Sequence, residues 1–423
     1  MKVFKNYYNN ILFRNLSIVF CESIVTKALS FFSILILSKS LGPEDYGKYS
    51  FIFVAVAFLS AFFDFGMENT AVRYSVRDKE YRNEIFGLYL LIKIIITTFI
   101  IMVLWVFGDQ IFFLIGKSEI EQFIPFLIIG FLGESLFFVN DTFLQAIQKF
   151  KLRAMINILR YLILVVGIII LKLNELLLLK YVFYIYFLPL LVSLFFTFKY
   201  YMFLKSFFSF KLSKKITRDI YQYGKWMFLI SISNNTLGRI DFFLISFWVS
   251  YQQIGIYNIA FQLSAIISFI PFAFGKVLLP KMSELSQLEI LESTNKITKS
   301  VLILTIGMSC LVPIVHFLVP ILLGEKYIDS VEILQVMIIS SLISVVLVPI
   351  EQAVYSLGKP VFITIGKYVQ IVAIVFVIIF TVPFFGLIWA AISVLIARII
   401  YGSILIKFYL QYKKNIILKM KGK

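Results

Sequence analysis

Inside long apolar stretches of this chain stand Lys27, Lys93, Arg160, Arg239 and Arg398, together with Glu22, Asp64, Glu68, Glu134, Asp141, Asp241 and Glu351. A charge in hydrocarbon is costly, so such residues pair with one another, line a hydrated path or hold a charged substrate. Their spacing groups them. Glu22, Ser23, Thr26, Lys27, Ser30 and Ser33 fall within about 140° of a helix projected at 100° per residue, which makes one polar sector. Ser60, Asp64 and Glu68 repeat at i, i+4 and i+8, and Glu134, Asp141, Gln145 and Gln148 form a third stripe. Ser231, Asn234, Asn235, Gly238, Arg239 and Asp241 share a fourth face, with Arg239 and Asp241 at its opposite edges, so that each is expected to pair with another helix. One reading makes these charges structural ion pairs between helices. The other makes them the walls of a hydrated cavity, and their spread over several spans favours it.

The elements that must carry these residues follow from composition. Of 423 residues, 61% are hydrophobic and 15% charged, too few charges for the surface of a soluble domain of this size. In a bilayer the same side chains are solvated by lipid, and helices satisfy their own backbone. Apolar stretches long enough to cross about 30 Å of hydrocarbon lie near 16–38, 47–67, 85–107, 122–146, 154–172, 176–200, 222–248, 253–279, 299–323, 331–356, 361–382 and 385–408. The first is too long for a signal-peptide core and lacks a small-residue cleavage site, so it is expected to remain as the first helix.

The net charge of +17 sits in short clusters between the spans, where topology and anionic headgroups account for it better than nucleic acid does. With the N-terminus cytoplasmic, the inner segments hold 29 lysines and arginines and the outer ones 6: Lys39, Lys48, Lys117, Lys172, Lys180 and Lys326. Both termini are then cytoplasmic. The longest hydrophilic connection, around Lys205–Lys225, divides the chain into lobes 1–210 and 211–423. Asp45-Tyr-Gly47-Lys-Tyr49 and Gln253-Ile-Gly255-Ile-Tyr257 occupy matching positions in the two halves, as in parallel repeats that place a substrate path between them. Cys21 and Cys310 lie in apolar runs, which leaves no disulfide framework or metal knuckle. His316, the one histidine, is expected to be structural. Gly116-Lys117-Ser118 lacks the earlier glycine of a phosphate loop, having Ile111 there.

Several short stretches carry a family resemblance: Leu41-Gly-Pro43-Glu-Asp-Tyr46-Gly47-Lys-Tyr49, Gly238-Arg239-Ile-Asp241, Gly255-Ile-Tyr257-Asn-Ile-Ala260, Leu279-Pro280-Lys-Met-Ser283-Glu-Leu285, Gly324-Glu-Lys-Tyr327, Gly358-Lys359 and Phe385-Gly386-Leu-Ile-Trp389-Ala390-Ala391. In these, over nearly its whole length, the chain resembles the Wzx family of O-antigen and polysaccharide flippases, within the multidrug/oligosaccharidyl-lipid/polysaccharide exporter superfamily. The resemblance implies an all-α integral membrane fold, MATE-like, with about twelve transmembrane helices in two six-helix lobes around a central cavity. It implies a non-enzymatic transporter of the bacterial cytoplasmic (inner) membrane. The substrate would be an undecaprenyl-diphosphate-linked oligosaccharide, flipped by alternating access for O-antigen or capsule assembly. It further implies no cofactor, proton or sodium coupling, and as partners membrane lipids, a polysaccharide polymerase and a chain-length regulator. Lys27 and Arg239 would be the cavity cations, with Asn235 and Ser30 beside them, and Asp64, Glu134 and Asp241 the ion-coupling acids. The intramembrane charges are not predominantly positive, which departs from a strongly cationic lumen.

Two other functions fit the composition. A multidrug antiporter of the same superfamily would want acids to dominate the cavity. An O-antigen polymerase or ligase would want a large outer loop presenting acid/base groups, whereas the longest outer connection runs only from about Gly108 to Gln122.

Overall fold

Gly42 and Pro43 set the first feature of the architecture. The structure, a computed structural model, describes residues 2–202, 214–283 and 285–421. Its first helix, α1 (Lys2–Phe62), is broken at Gly42, where φ is 77° and ψ 171°. Only glycine takes that conformation readily, and Pro43 behind it has no N–H to continue a ladder. The apolar part, Ser17–Phe62, is 46 residues long, roughly twice what one crossing needs. α1 is therefore two spans joined at Gly42.

Beyond α1 the chain turns through Phe63–Gly66 into the short α2 (Met67–Arg77). Then come α3 (Arg82–Leu114), α4 (Ile124–Ala146), α5 (Phe150–Leu173) and α6 (Leu179–Met202). The second run comprises α7 (Lys214–Ile245), α8 (Tyr251–Ser283), α9 (Gln287–Met308), α10 (Leu311–Leu323), α11 (Ser330–Ser356), α12 (Pro360–Phe385) and α13 (Ile388–Lys421). Among the described residues, seven helical stretches are long and apolar enough to cross a membrane, and an eighth arises if α9 and α10, bent by 42°, form one broken span. The two halves of α1 and the further long helices α6, α7 and α8 lie where the remaining spans are expected.

The chain forms two compact units, residues 1–235 and 236–423, and the boundary falls inside α7. The expected division at 210/211 lies outside the described residues. In the first unit α4 packs on α6 through Phe126, stacked on Phe183 with ring centres 5.3 Å apart. In the second, α11 is the central helix, packed on α8, α9 and α13, with Ile338, Val345, Leu347 and Ala353 all buried.

Two boundaries differ from expectation for local reasons. α9 starts at Gln287 rather than near 299, because Ser286 and Glu289 form a reciprocal capping box that fixes a polar first turn ahead of the apolar run. α2 is too short for a span. It begins after Gly66 in the left-handed region, places Glu68 in its first turn and Arg77 in its last, and so complements its own dipole. The helical stripe expected through Ser60, Asp64 and Glu68 is consequently interrupted, since Phe65 and Gly66 both have positive φ.

Candidate functional site

That turn gives Asp64 its role. Its Oδ2 accepts the backbone N–H of Glu68 at 3.0 Å, while Oδ1 accepts Tyr89 Oη at 2.9 Å and Lys93 Nζ at 3.2 Å, both from α3. Lys93 Nζ also donates to the Ser60 carbonyl at 3.1 Å. Both charged side chains are almost fully buried, at 3% and 7% exposure. The pair is thus satisfied on both sides, which is the condition under which a buried ion pair can persist.

α4 and α5 supply two more pairs. Arg153 grips Asp141 through two parallel bonds of 2.7 and 2.8 Å, the fork geometry that favours arginine, and Asn157 reaches the same carboxylate at 3.4 Å. About two turns further along both helices, Arg160 meets Glu134 at 2.5 Å and lies 4.4 Å from the centre of the Phe137 ring. The acidic stripe of α4 is therefore neutralised by arginines of α5. Arg153, counted above among the cytoplasmic charges, is one of them.

Glu68 is left over. Its carboxylate makes no ion pair among the described residues. α2 lies outside the spans, and burial, reinforced by the charges of Asp64 and Asp141 and opposed by Arg153 and Lys93, pushes its pKa up to about 7. Below its ordinary value of 4.5 the proton is bound in folded and unfolded chains alike. Between 4.5 and 7 the unfolded chain releases a proton that the folded one keeps, so stability falls as pH rises through that window and is flat above it. Glu68→Gln is expected to remove this fall. The check is the thermal unfolding of detergent-solubilised wild type and variant from pH 4 to pH 8; parallel curves would refute the assignment.

In the second unit the two charges at the edges of the α7 face both reach α8. The Arg239 guanidinium lies 4.1 Å from the centre of the Phe261 ring and 3.3 Å from Asn258 Oδ1, and buried Asp241 accepts Tyr257 Oη at 2.5 Å. Arg398 of α13 donates to the Ser340 carbonyl on α11 at 3.0 Å, and Tyr401 donates to Glu351. Asn235 belongs to the first unit, where its amide donates to the Ala61 carbonyl at 2.6 Å and to Ser231 Oγ at 3.2 Å.

The polar sector of the first span divides. Glu22, Thr26 and Ser33 are buried and Ser30 is half-buried, whereas Lys27 is exposed between Val25 and Ala28. Lys27 has no ion pair or hydrogen bond among the described residues. The structure thus brings Asp64, Glu134 and Asp241 each to a protein partner, and places Lys27 in the first unit and Arg239 in the second. Glu68 was visible in the sequence as a charge near a span end. Its lack of a cation was not, because that depends on which acids Lys93 and Arg153 choose. Among the described residues no group of three or more His, Cys, Asp or Glu is placed to hold a metal ion.

Comparison with known proteins adds to this geometry. The family described as polysaccharide biosynthesis protein matches residues 12–286. A Shigella flexneri protein assigned as an O-antigen transporter is 24% identical over 201 residues, covering 46% of this chain and 47% of that one. The match thus spans about half the length of that curated relative. Among solved structures, an inward-facing multidrug resistance MATE family transporter of the MOP superfamily superposes with a TM-score of 0.72 at 15% identity, over 91% of this chain and 94% of its own. The lipid II flippase MurJ in an inward closed conformation gives 0.70 at 15% identity, over 94% and 90%. At such identities these likenesses show a shared fold, all-α and MATE-like.

Proposed function

Because the chain belongs to the polysaccharide biosynthesis protein family, we propose that it flips a lipid-linked oligosaccharide across the bacterial cytoplasmic membrane. The finer reading takes an undecaprenyl-diphosphate-linked repeat unit from the cytoplasmic to the periplasmic leaflet by alternating access, with the termini cytoplasmic. The named relatives are transporters and a flippase, which supports a transporter over an enzyme. Lys27 carries the substrate assignment. An ammonium exposed beside a sector of small hydroxyl side chains, with no acidic partner among the described residues, suits the diphosphate of a passing headgroup. Arg239 would be the second contact, its guanidinium positioned by Asn258 and by the Phe261 ring. Asn235 and Ser30 would bind sugar hydroxyls, and proton or sodium movement would drive the cycle through Asp64, Glu134 or Asp241. A multidrug exporter would need acids free to meet cationic drugs, and Asp64, Glu134 and Asp141 are each ion-paired.

The test is complementation of a strain that lacks its own O-antigen flippase, scored by its lipopolysaccharide ladder. The chain is expected to restore the ladder, and Lys27→Ala/Arg239→Ala at equal protein level to abolish it. A ladder maintained by the double variant would remove both residues from the substrate path.

A further inference from the structure

The first unit holds an apolar groove of about 390 Å³, within the range of small-ligand sites. Its walls are α2 at Thr70 and Ala71, α3 at Ile85 and Leu88, and the first half of α7 at Gly224 and Phe228. Lys225 is its one charged lining residue.

The walls are fixed relative to each other. Tyr74 of α2 donates to the Asp219 carbonyl of α7 at 2.9 Å, Arg77 meets the Asp219 carboxylate at 3.2 Å, and the Arg73 guanidinium lies 4.2 Å from the centre of the Tyr223 ring. The groove is therefore preformed, so an occupant does not have to order its walls. Tyr221, which lines it, is 73% exposed, as aromatic side chains are at the headgroup level of a bilayer. Lys225 is exposed and has no ion pair among the described residues. An unneutralised cation on the wall of an apolar slot calls for an anionic headgroup on a hydrocarbon chain. A polyprenyl diphosphate matches better than a bilayer phospholipid: it carries more charge on one headgroup, and its double bonds leave fewer rotors to immobilise than a saturated acyl chain does.

We propose that this groove holds the headgroup-proximal isoprene units of a polyprenyl diphosphate, with Lys225 Nζ against the phosphate nearest the chain. The assignment rests on the lipid-linked substrate argued above, and it names where that lipid is first held. Gly224 provides a probe of it. A Cβ there would meet only Thr70, at 3.9 Å, so Gly224→Leu sends its side chain into the slot without a backbone clash, while Gly224→Ala leaves the slot open.

The experiment labels the purified protein with photoactivatable undecaprenyl diphosphate and maps the adduct by mass spectrometry. Adducts are expected on α2, α3 or the first half of α7, displaced by unlabelled undecaprenyl diphosphate and not by equal phosphatidylglycerol. Gly224→Leu and Lys225→Gln are each expected to cut labelling about tenfold, and Gly224→Ala to leave it near the wild-type level. Adducts mapping elsewhere, or equal displacement by phosphatidylglycerol, would overturn the proposal, the latter by showing an ordinary bilayer-lipid groove. Should Gly224→Leu fail to fold, the wild-type map and Lys225→Gln still decide. The outcome is separable from complementation. A rescuing chain labelled elsewhere refutes the groove alone, and a chain that fails to rescue yet labels in the groove refutes the flippase reading alone.

Discussion

Gly66→Ala is expected to leave little folded protein. Gly66 has a φ of 72°, and a Cβ placed on it would stand 2.5 Å from the carbonyl oxygen of Met227 and 2.7 Å from its carbonyl carbon. The first of these carries a strain of order 1 kcal/mol for a residue other than glycine. The second is worse, because the atoms in the way are α7 backbone and no side-chain rotation clears them. Together the strain and the displaced helix should amount to roughly 3 kcal/mol or more, a large part of a typical stability margin. Relief would move α7 away from the turn, and with it Asn235, whose amide bonds to Ala61. Gly238→Ala, in the same helix, is the control: nothing lies within 4 Å of its Cβ, and alanine is the better helix former by up to about 1 kcal/mol. Monodisperse yield and thermal unfolding in detergent would distinguish them. A Gly66→Ala protein as stable as wild type would show that α7 does not press on this turn.

The turn at Gly66 also shows which features the residues announced and which they did not. The spans were readable because crossing a bilayer demands a minimum apolar length, and the Gly42-Pro43 break because that dipeptide stops a helix. α2 was not, since eleven half-polar residues look like the end of one span or the loop before the next. The charges were readable as a set, and their partners were not. Whether Glu134 faces Arg160 or a substrate depends on the rotation of α4 against α5, which periodicity within one helix leaves undetermined. Lys27 illustrates the same limit: it shares a projected sector with Glu22 and Thr26, yet a helix packed through one edge of that sector buries those two and exposes the lysine. The groove was still harder to see, because its walls come from residues 65–92 and 220–228, and nothing in either segment signals the other.

The second large effect is expected at the Asp64–Lys93 pair. Asp64→Asn would leave a buried ammonium facing only neutral acceptors, the Ser60 carbonyl and the new amide oxygen, with a Phe138 ring 5.8 Å away, and Lys93→Met would leave a buried carboxylate with the Tyr89 hydroxyl and the Glu68 N–H. Breaking a buried pair from one side typically costs about 3–5 kcal/mol, since the survivor stays desolvated. The double variant Asp64→Asn/Lys93→Met buries no charge, and it should recover much of the loss, giving a coupling energy of roughly 1–3 kcal/mol in a double-mutant cycle. Additive losses would mean that the two groups do not interact. The same protein separates architecture from transport. If the double variant folds and still restores the lipopolysaccharide ladder, Asp64 serves only to join α1, α2 and α3. If it folds at wild-type level and the ladder is absent, the carboxylate does something in the cycle that the neutral pair cannot, and its contact with the Glu68 N–H makes the neighbouring unpaired acid the next group to substitute.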